Sequence, residues 1–112
     1  MISKAVNKYI RRTPRKVNTV LDVIRGKNVD YAFMLLKNIN KGAKEEVSKT
    51  LKSAVSNAYE KGFTDTSKIS VSEAYSTEGP TFKRYKARAM GRATKRYKRT
   101  SHITIILKEG VN

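Results

Sequence analysis

Ten bases and no acid lie between Glu78 and Glu109: Lys83, Arg84, Lys86, Arg88, Arg92, Lys95, Arg96, Lys98, Arg99 and Lys108. Phe82, Tyr85 and Tyr97 are interleaved with them. Cations spaced this way cannot neutralise one another, so the chemistry on offer is binding of a polyanion, with aromatic rings available to stack on unpaired bases. The same rings fit equally well as cross-strand packing pairs. Catalysis has little to work with. His102 is the only histidine, cysteine is absent, and no Asp or Glu lies near His102 in sequence. There is no Gly-rich phosphate loop, zinc spacing or carboxylate cluster, so neither an enzyme nor a metal or cofactor site is expected. Met90 has no neighbours that would make it a ligand or redox site.

The charge of the whole chain sharpens this. The 112 residues carry a formal net charge of +16, and it is unevenly placed. Residues 1–16 hold six bases and no acid, residues 17–79 hold nine bases against eight acids, and residues 80–112 hold ten bases against one acid. A nearly neutral middle between two cationic ends is the pattern of a nucleic-acid footprint rather than of solubilising charge. No apolar run approaches the roughly 20 residues of a membrane span. The first residues, MISKAVNKYIRRT, lack the apolar stretch of a secretory signal. A soluble intracellular protein of one domain is expected.

The elements that must hold the basic stretch follow from periodicity and caps. Ile2–Ile10 alternates, with Ile2, Val6 and Ile10 on one side and Ala5 and Tyr9 on the other, as in a Lys-guarded edge strand. Thr13 is a good N-cap with Pro14 at the first helical position. Val17, Val20, Leu21 and Ile24 then mark a buried helical face, which Gly26 ends. Asn28 caps a second helix with Ala32, Leu35, Leu36 and Ile39 as its apolar positions. A third runs from about Ala43 to Lys61, with Ala43, Val47, Leu51, Ala54, Val55 and Ala58 as its stripe and Gly62 closing it. From Thr64 the period changes to two, giving a strand through about Glu78 and a partner strand over Thr100–Lys108 with Ile103, Ile105 and Leu107 on one face.

Between those strands the chain must fold back. Gly91 can supply the positive φ of a hairpin tip, which sets Lys83 opposite Arg99, and Gly79-Pro80 marks a bend or bulge in the ribbon. Each arm then extends some ten residues beyond Gly79, about 30 Å at ~3.3 Å per residue, too far for a small core to cover. The expected architecture is α+β: three helices packed on a small antiparallel sheet, with one long basic β-hairpin projecting from it. The single domain, 1–112, divides into a globular body at 1–78 and 103–112 and an extended hairpin at 79–102.

Arg11, Arg12, Arg15 and Lys16 crowd the N-terminal end of the first helix, where cations are electrostatically disfavoured. That placement points to an anionic partner for them too. A basic run can also be a solvated, disordered segment, but the flanking strand signals argue for an anchored arm. Two binding classes remain: an arm that orders among RNA elements, and a DNA-architectural ribbon that wedges a base step. The wedge needs an apolar residue or proline at the tip. Here the tip is Ala89-Met90-Gly91 and Pro80 lies at the root, which favours RNA. A membrane-surface protein would show Trp and a basic amphipathic helix; the chain has no Trp.

Gly79-Pro80, Lys83-Arg84, Arg88-Ala89, Gly91-Arg92-Ala93 and Lys98-Arg99-Thr100-Ser101-His102-Ile103-Thr104 together resemble the L-twenty-two family of large-subunit ribosomal proteins. Thr13-Pro14-Arg15-Lys16-Val17, Val23-Ile24-Arg25-Gly26-Lys27 and Ser53-Ala54-Val55-Ser56-Asn57-Ala58 resemble that family's first and long helices, so nearly the whole chain is covered. The resemblance implies a structural constituent of the large ribosomal subunit that binds its rRNA and supports assembly. The body would lie near the peptide exit among neighbouring ribosomal proteins. A hairpin tip of Arg88, Ala89, Met90, Gly91 and Arg92 would face the exit tunnel and the passing nascent polypeptide, close to where macrolides bind.

The rRNA contacts expected are Arg11, Arg12, Thr13, Arg15, Lys16 and Arg25 on the body, and Lys83, Arg84, Lys86, Arg88, Arg92, Lys95, Arg96, Lys98, Arg99, Thr100, Ser101 and His102 on the arm. Neither membrane nor DNA is an expected partner. The location implied is the ribosome of the cytoplasm, and nothing in the sequence separates it from an organellar one. Two positions depart from the family pattern. Ala87 stands where proline is common, and Arg96 where an aliphatic residue is.

Overall fold

The computed structural model describes residues 2–39, 42–80, 82–87 and 93–110, the strands at 82–87 and 93–98 by their backbone alone. The chain runs β1 (Ser3–Ile10), α1 (Pro14–Ile24), α2 (Val29–Asn38), α3 (Lys44–Glu60), a 3-10 turn (Thr66–Lys68), β2 (Ile69–Glu78), β3 (Phe82–Ala87), β4 (Ala93–Lys98) and β5 (Ser101–Glu109). This is the α+β fold expected. Three helices pack on an antiparallel sheet ordered β1-β5-β2, and β3 and β4 form a separate antiparallel ribbon.

The helix ends obey local rules. Thr13 Oγ1 accepts the Lys16 N–H, Pro14 opens α1, and Gly26 follows its last turn at φ 76°. Asn28 Oδ1 accepts the Asp30 N–H at the start of α2. Asp65 caps the 3-10 turn, and hydrogen bonds from the Ser67 hydroxyl and amide, with Lys68 nearby, hold its carboxyl below the usual range. The core-facing stripes are Val17, Val20, Leu21 and Ile24 on α1, and Val47, Leu51, Ala54 and Ala58 on α3. They close over Ala5, Val71, Ala74, Ile103, Ile105 and Leu107 of the sheet. Ser3 joins sheet to helix directly, its hydroxyl donating to Ala54 O at 2.9 Å. The α1–α2 connection covers the outer edge of β2: Val71 donates to Lys27 O and Gly26 donates to Val71 O. β1 is the other edge strand, with Lys4 and Lys8 exposed along it and Asn57 Nδ2 of α3 donating to Lys4 O at 2.9 Å.

Three expectations are corrected. Ile2, Val6 and Ile10 do not share a face: Ala5 and Ile10 are buried while Val6 is 45% exposed. The ladder shifts between Asn7 and Ile10, where Tyr9 takes φ 61°, so an extra residue changes the phase of the alternation. On α2 the buried residues are Val29, Ala32 and Leu36, with Phe33 and Ile39 packed at the edge of the core, and Leu35 is only partly covered. In the ribbon Lys83 lies opposite Tyr97, not Arg99. The expected tip, residues 88–92, lies outside the described residues.

The ribbon carries the chain away from the core. Among the described residues β3 and β4 pack substantially only on each other. The radius of gyration is 17.0 Å, against about 13 Å for a compact chain of this length.

Candidate nucleic-acid interface

The ribbon's register states its electrostatic problem. Phe82 faces Lys98, Lys83 faces Tyr97, Arg84 faces Arg96, Tyr85 faces Lys95 and Lys86 faces Thr94. Three rungs pair a cation with an aromatic residue, and the middle rung sets Arg against Arg. Like charges directly opposite destabilise a strand pair, and no acid in either strand relieves this one. An anion brought from outside would.

The side chains at Thr100, Ser101 and His102 form the joint from which the ribbon leaves the body. Thr100 Oγ1 donates to Pro80 O at 2.6 Å, and Gly79 N–H donates to Thr100 O at 2.9 Å. Ser101 Oγ donates to Arg12 O at 3.0 Å, and His102 Nδ1 accepts the Tyr9 N–H at 3.1 Å. Each of these side chains therefore ties β5 to a different segment. Thr100 and Ser101 are buried. Gly79 is required by close approach: a Cβ there would stand 2.6 Å from Thr100 Oγ1 and 3.2 Å from the His102 ring. Sequence reasoning took this triplet as contact residues. Its bracing role was hidden because the partners are backbone atoms far away in sequence.

The body bases sort into tethered and free-standing groups. Arg12 Nε lies 3.3 Å from Glu46 Oε1, and its guanidinium crowds Gly42 so closely that a Cβ there would meet Nη1 at 2.7 Å. Arg25 donates from Nε and Nη2 to Ala74 O, at 2.8 and 2.6 Å, and pairs with Asp22. Its guanidinium thus fastens the end of α1 to β2. Arg11, Arg15, Lys16 and Arg99 are exposed. Lys16 joins Arg12, Thr19, Gly42 and Ala43 around an open hollow. α1 has no acid in its first turn, so the cations there add to the positive end of the helix. The side chains of Lys83, Arg84, Lys86, Lys95, Arg96 and Lys98, and all of Arg88 and Arg92, lie outside the described residues. Among the described residues no three His, Cys, Asp or Glu side chains gather as a metal site would require, and no helix is long and apolar enough to cross a membrane.

An α+β body braced to a two-stranded extension rich in bases defines the class of structure. Comparison with known proteins is specific. The family model described as Ribosomal protein L22p/L17e matches residues 5–108. The large ribosomal subunit protein uL22 of Clostridium novyi (strain NT) is 51% identical over 109 residues, covering 97% of this chain and 98% of that protein. The uL22 protein of Desulfitobacterium hafniense (strain Y51) is 52% identical over 107 residues, covering 96% and 94%. That of Staphylococcus haemolyticus (strain JCSC1435) is 49% identical over 110 residues, covering 98% and 94%. The chain belongs to the ribosomal protein L22p/L17e family. It is a structural constituent of the large ribosomal subunit, not an enzyme, and its partners are those of the ribosome, rRNA and other ribosomal proteins.

Proposed function

We propose that the chain binds large-subunit rRNA along its ribbon, supports folding of that RNA during assembly, and presents its tip to the peptide exit tunnel. The observation that carries the reading is the Arg84–Arg96 rung inside an acid-free window. Such a ribbon is stable as a pair of strands once phosphates lie along it. Lys83, Arg84, Lys86, Arg88, Arg92, Lys95, Arg96, Lys98 and Arg99 neutralise phosphates and release condensed counterions. Arg11, Arg15 and Lys16 form a second contact on the body. Arg12, Thr13 and Arg25 belong to that surface as bases and a cap already held by internal partners. Thr100, Ser101 and His102 border the RNA at the joint. The body, 1–78 and 103–112, acts as one domain with the arm 79–102. It sits beside other large-subunit proteins in ribosomes of the cytoplasm, and the nascent polypeptide passes residues 88–92.

The test is a salt series. Full-length protein titrated onto deproteinised large-subunit rRNA should lose affinity with a log–log slope of about −5 or steeper. Changing Lys83, Arg84, Lys95 and Arg96 together to Gln should make the slope shallower by about 3. A wild-type slope shallower than about −2 would overturn the reading. For the tunnel, a photo-cross-linker at Met90 in ribosomes stalled during translation should label the nascent chain; labelling of rRNA alone would remove that part.

A further inference from the structure

We propose that the open face of the β1-β5-β2 sheet is a stacking platform for unpaired rRNA bases, with Tyr9 and Tyr75 as its rings. The proposal rests on the rRNA reading above and names a second binding mode, carried by π-faces rather than charge. The register defines the face. Val6 and Tyr75 both lie opposite Thr104, on the side away from the helices, and Lys4 and Glu73 both lie opposite Ile106. Val6 is 45% and Tyr75 40% exposed, while Thr104 between them is 6% exposed. Tyr9 is 62% exposed on the same side, where its ring meets His102 at 5.1 Å between centroids and 89° between planes.

Tyr9 is the telling residue. Its backbone is left-handed, which a bulky side chain adopts only when the surroundings impose it. Here Tyr9 sits at the β1 bulge, its N–H donating to His102 Nδ1 and its ring meeting the His102 ring edge-on. Strain kept to hold an aromatic ring out in water indicates a ligand for that ring. Charge decides which ligand. Lys4 and Lys8 line β1, and Glu73 is the one acid among the described residues of this face. The platform is also continuous with the arm: the His102 ring lies against Gly79 at the ribbon's root. An RNA strand following the ribbon's cations would therefore reach these rings next. Exposed aromatic residues on a sheet, flanked by bases, suit nucleobases, every one of which has a stackable face.

Tyr9→Leu and Tyr75→Leu in the full-length protein, titrated onto deproteinised large-subunit rRNA across a salt series, separate this mode from phosphate contact. Each should bind about 5- to 100-fold more weakly at every salt concentration, with the log–log slope unchanged because no phosphate contact is lost. Tyr9→Phe and Tyr75→Phe should bind as the wild type does, since stacking needs the ring and not the hydroxyl. Leu variants that bind like the wild type, or that change the slope, would overturn the proposal. So would a benzophenone side chain at position 75, photolysed in purified large subunits, that joins a peptide instead of a nucleotide; that result would assign the face to a neighbouring protein. If the wild type itself lacks steep salt dependence, the rRNA reading falls and this inference with it.

Discussion

The same two strands of chain are built on opposite terms on the two sides of Gly79. From Ile69 to Glu78 and Ser101 to Glu109 they are ordinary sheet, with Ile103, Ile105 and Leu107 fully buried beneath helices. From Phe82 to Ala87 and Ala93 to Lys98 they are still paired, but among the described residues they pack substantially only on each other, and the register sets Arg84 opposite Arg96. In the first region burial of one face fixes the register, because a slip of one residue would expose every core side chain. In the second the described residues offer no helix-covered face to fix it in that way. Folding free energy is concentrated in the body, while the proposed function puts most of the phosphate contacts in the arm. The joint at Gly79, Thr100, Ser101 and His102 keeps the two regions aligned.

That division implies that substitutions in the body's apolar core change stability without changing the salt slope, and that substitutions of the arm's bases do the reverse. The largest expected effect is on the body side. Ile105 is fully buried in the central strand, so Ile105→Ala should cost about 2–5 kcal/mol, read as a lowered midpoint in chemical or thermal unfolding. At temperatures where the variant is still folded, its rRNA salt slope should match the wild type. A shallower slope would mean that the arm's phosphate contacts depend on core packing, and the division would fail.

The joint is the next place to break the comparison. Gly79→Ala pushes a Cβ into Thr100 Oγ1 and the His102 ring. Since Thr100 is buried and bonded to Pro80 O, it cannot simply swing away. A loss of about 1–3 kcal/mol is expected. Thr100→Ala should lose less, about 0.5–1.5 kcal/mol for the hydrogen bond, and the pair together should cost less than the sum, because the clash needs both groups. Strict additivity in the double-mutant cycle would show that the two residues do not meet.

These contrasts explain what the sequence disclosed and what it hid. Helices were legible because each is marked twice, by an apolar stripe and by a cap: Thr13-Pro14 and Gly26 on α1, Asn28 on α2, Gly62 at φ 93° after α3. The core-facing side of β5 was legible from strict alternation. β1 misled because its phase changes at Tyr9, a bulge without glycine or proline to announce it. Leu35 misled because α2 turns Val29 and Phe33 inward instead. The ribbon's register came out differently because FKRYKA and ATKRYK have no apolar alternation to anchor it, so centring on Gly91 rested on turn chemistry alone. Among candidate contacts, the basic types were legible from charge. Which of them are tethered was not, since Arg12 and Arg25 are held by Glu46 and by a β2 carbonyl distant in sequence.

The arm side yields the smallest effect and the sharpest one. Arg96 occupies a rung opposite Arg84, and Arg96→Ile removes the repulsion while adding a residue that favours strands. In the free protein the amides of residues 82–87 and 93–98 should then exchange more slowly with solvent, by a factor of about 2–5 for a gain of roughly 0.5–1 kcal/mol in pairing. On rRNA the same change removes one phosphate contact, so the slope should become shallower by about 0.7–0.9. Body stability should stay within about 0.5 kcal/mol. The two arm readouts move in opposite directions, one strengthening the ribbon and the other weakening its grip on RNA. That opposition is expected only if Arg96 is kept for an external anion at the expense of the strand pair. Exchange that is no slower in Arg96→Ile, with the slope unchanged as well, would place Arg96 outside both roles and leave the facing arginines without consequence.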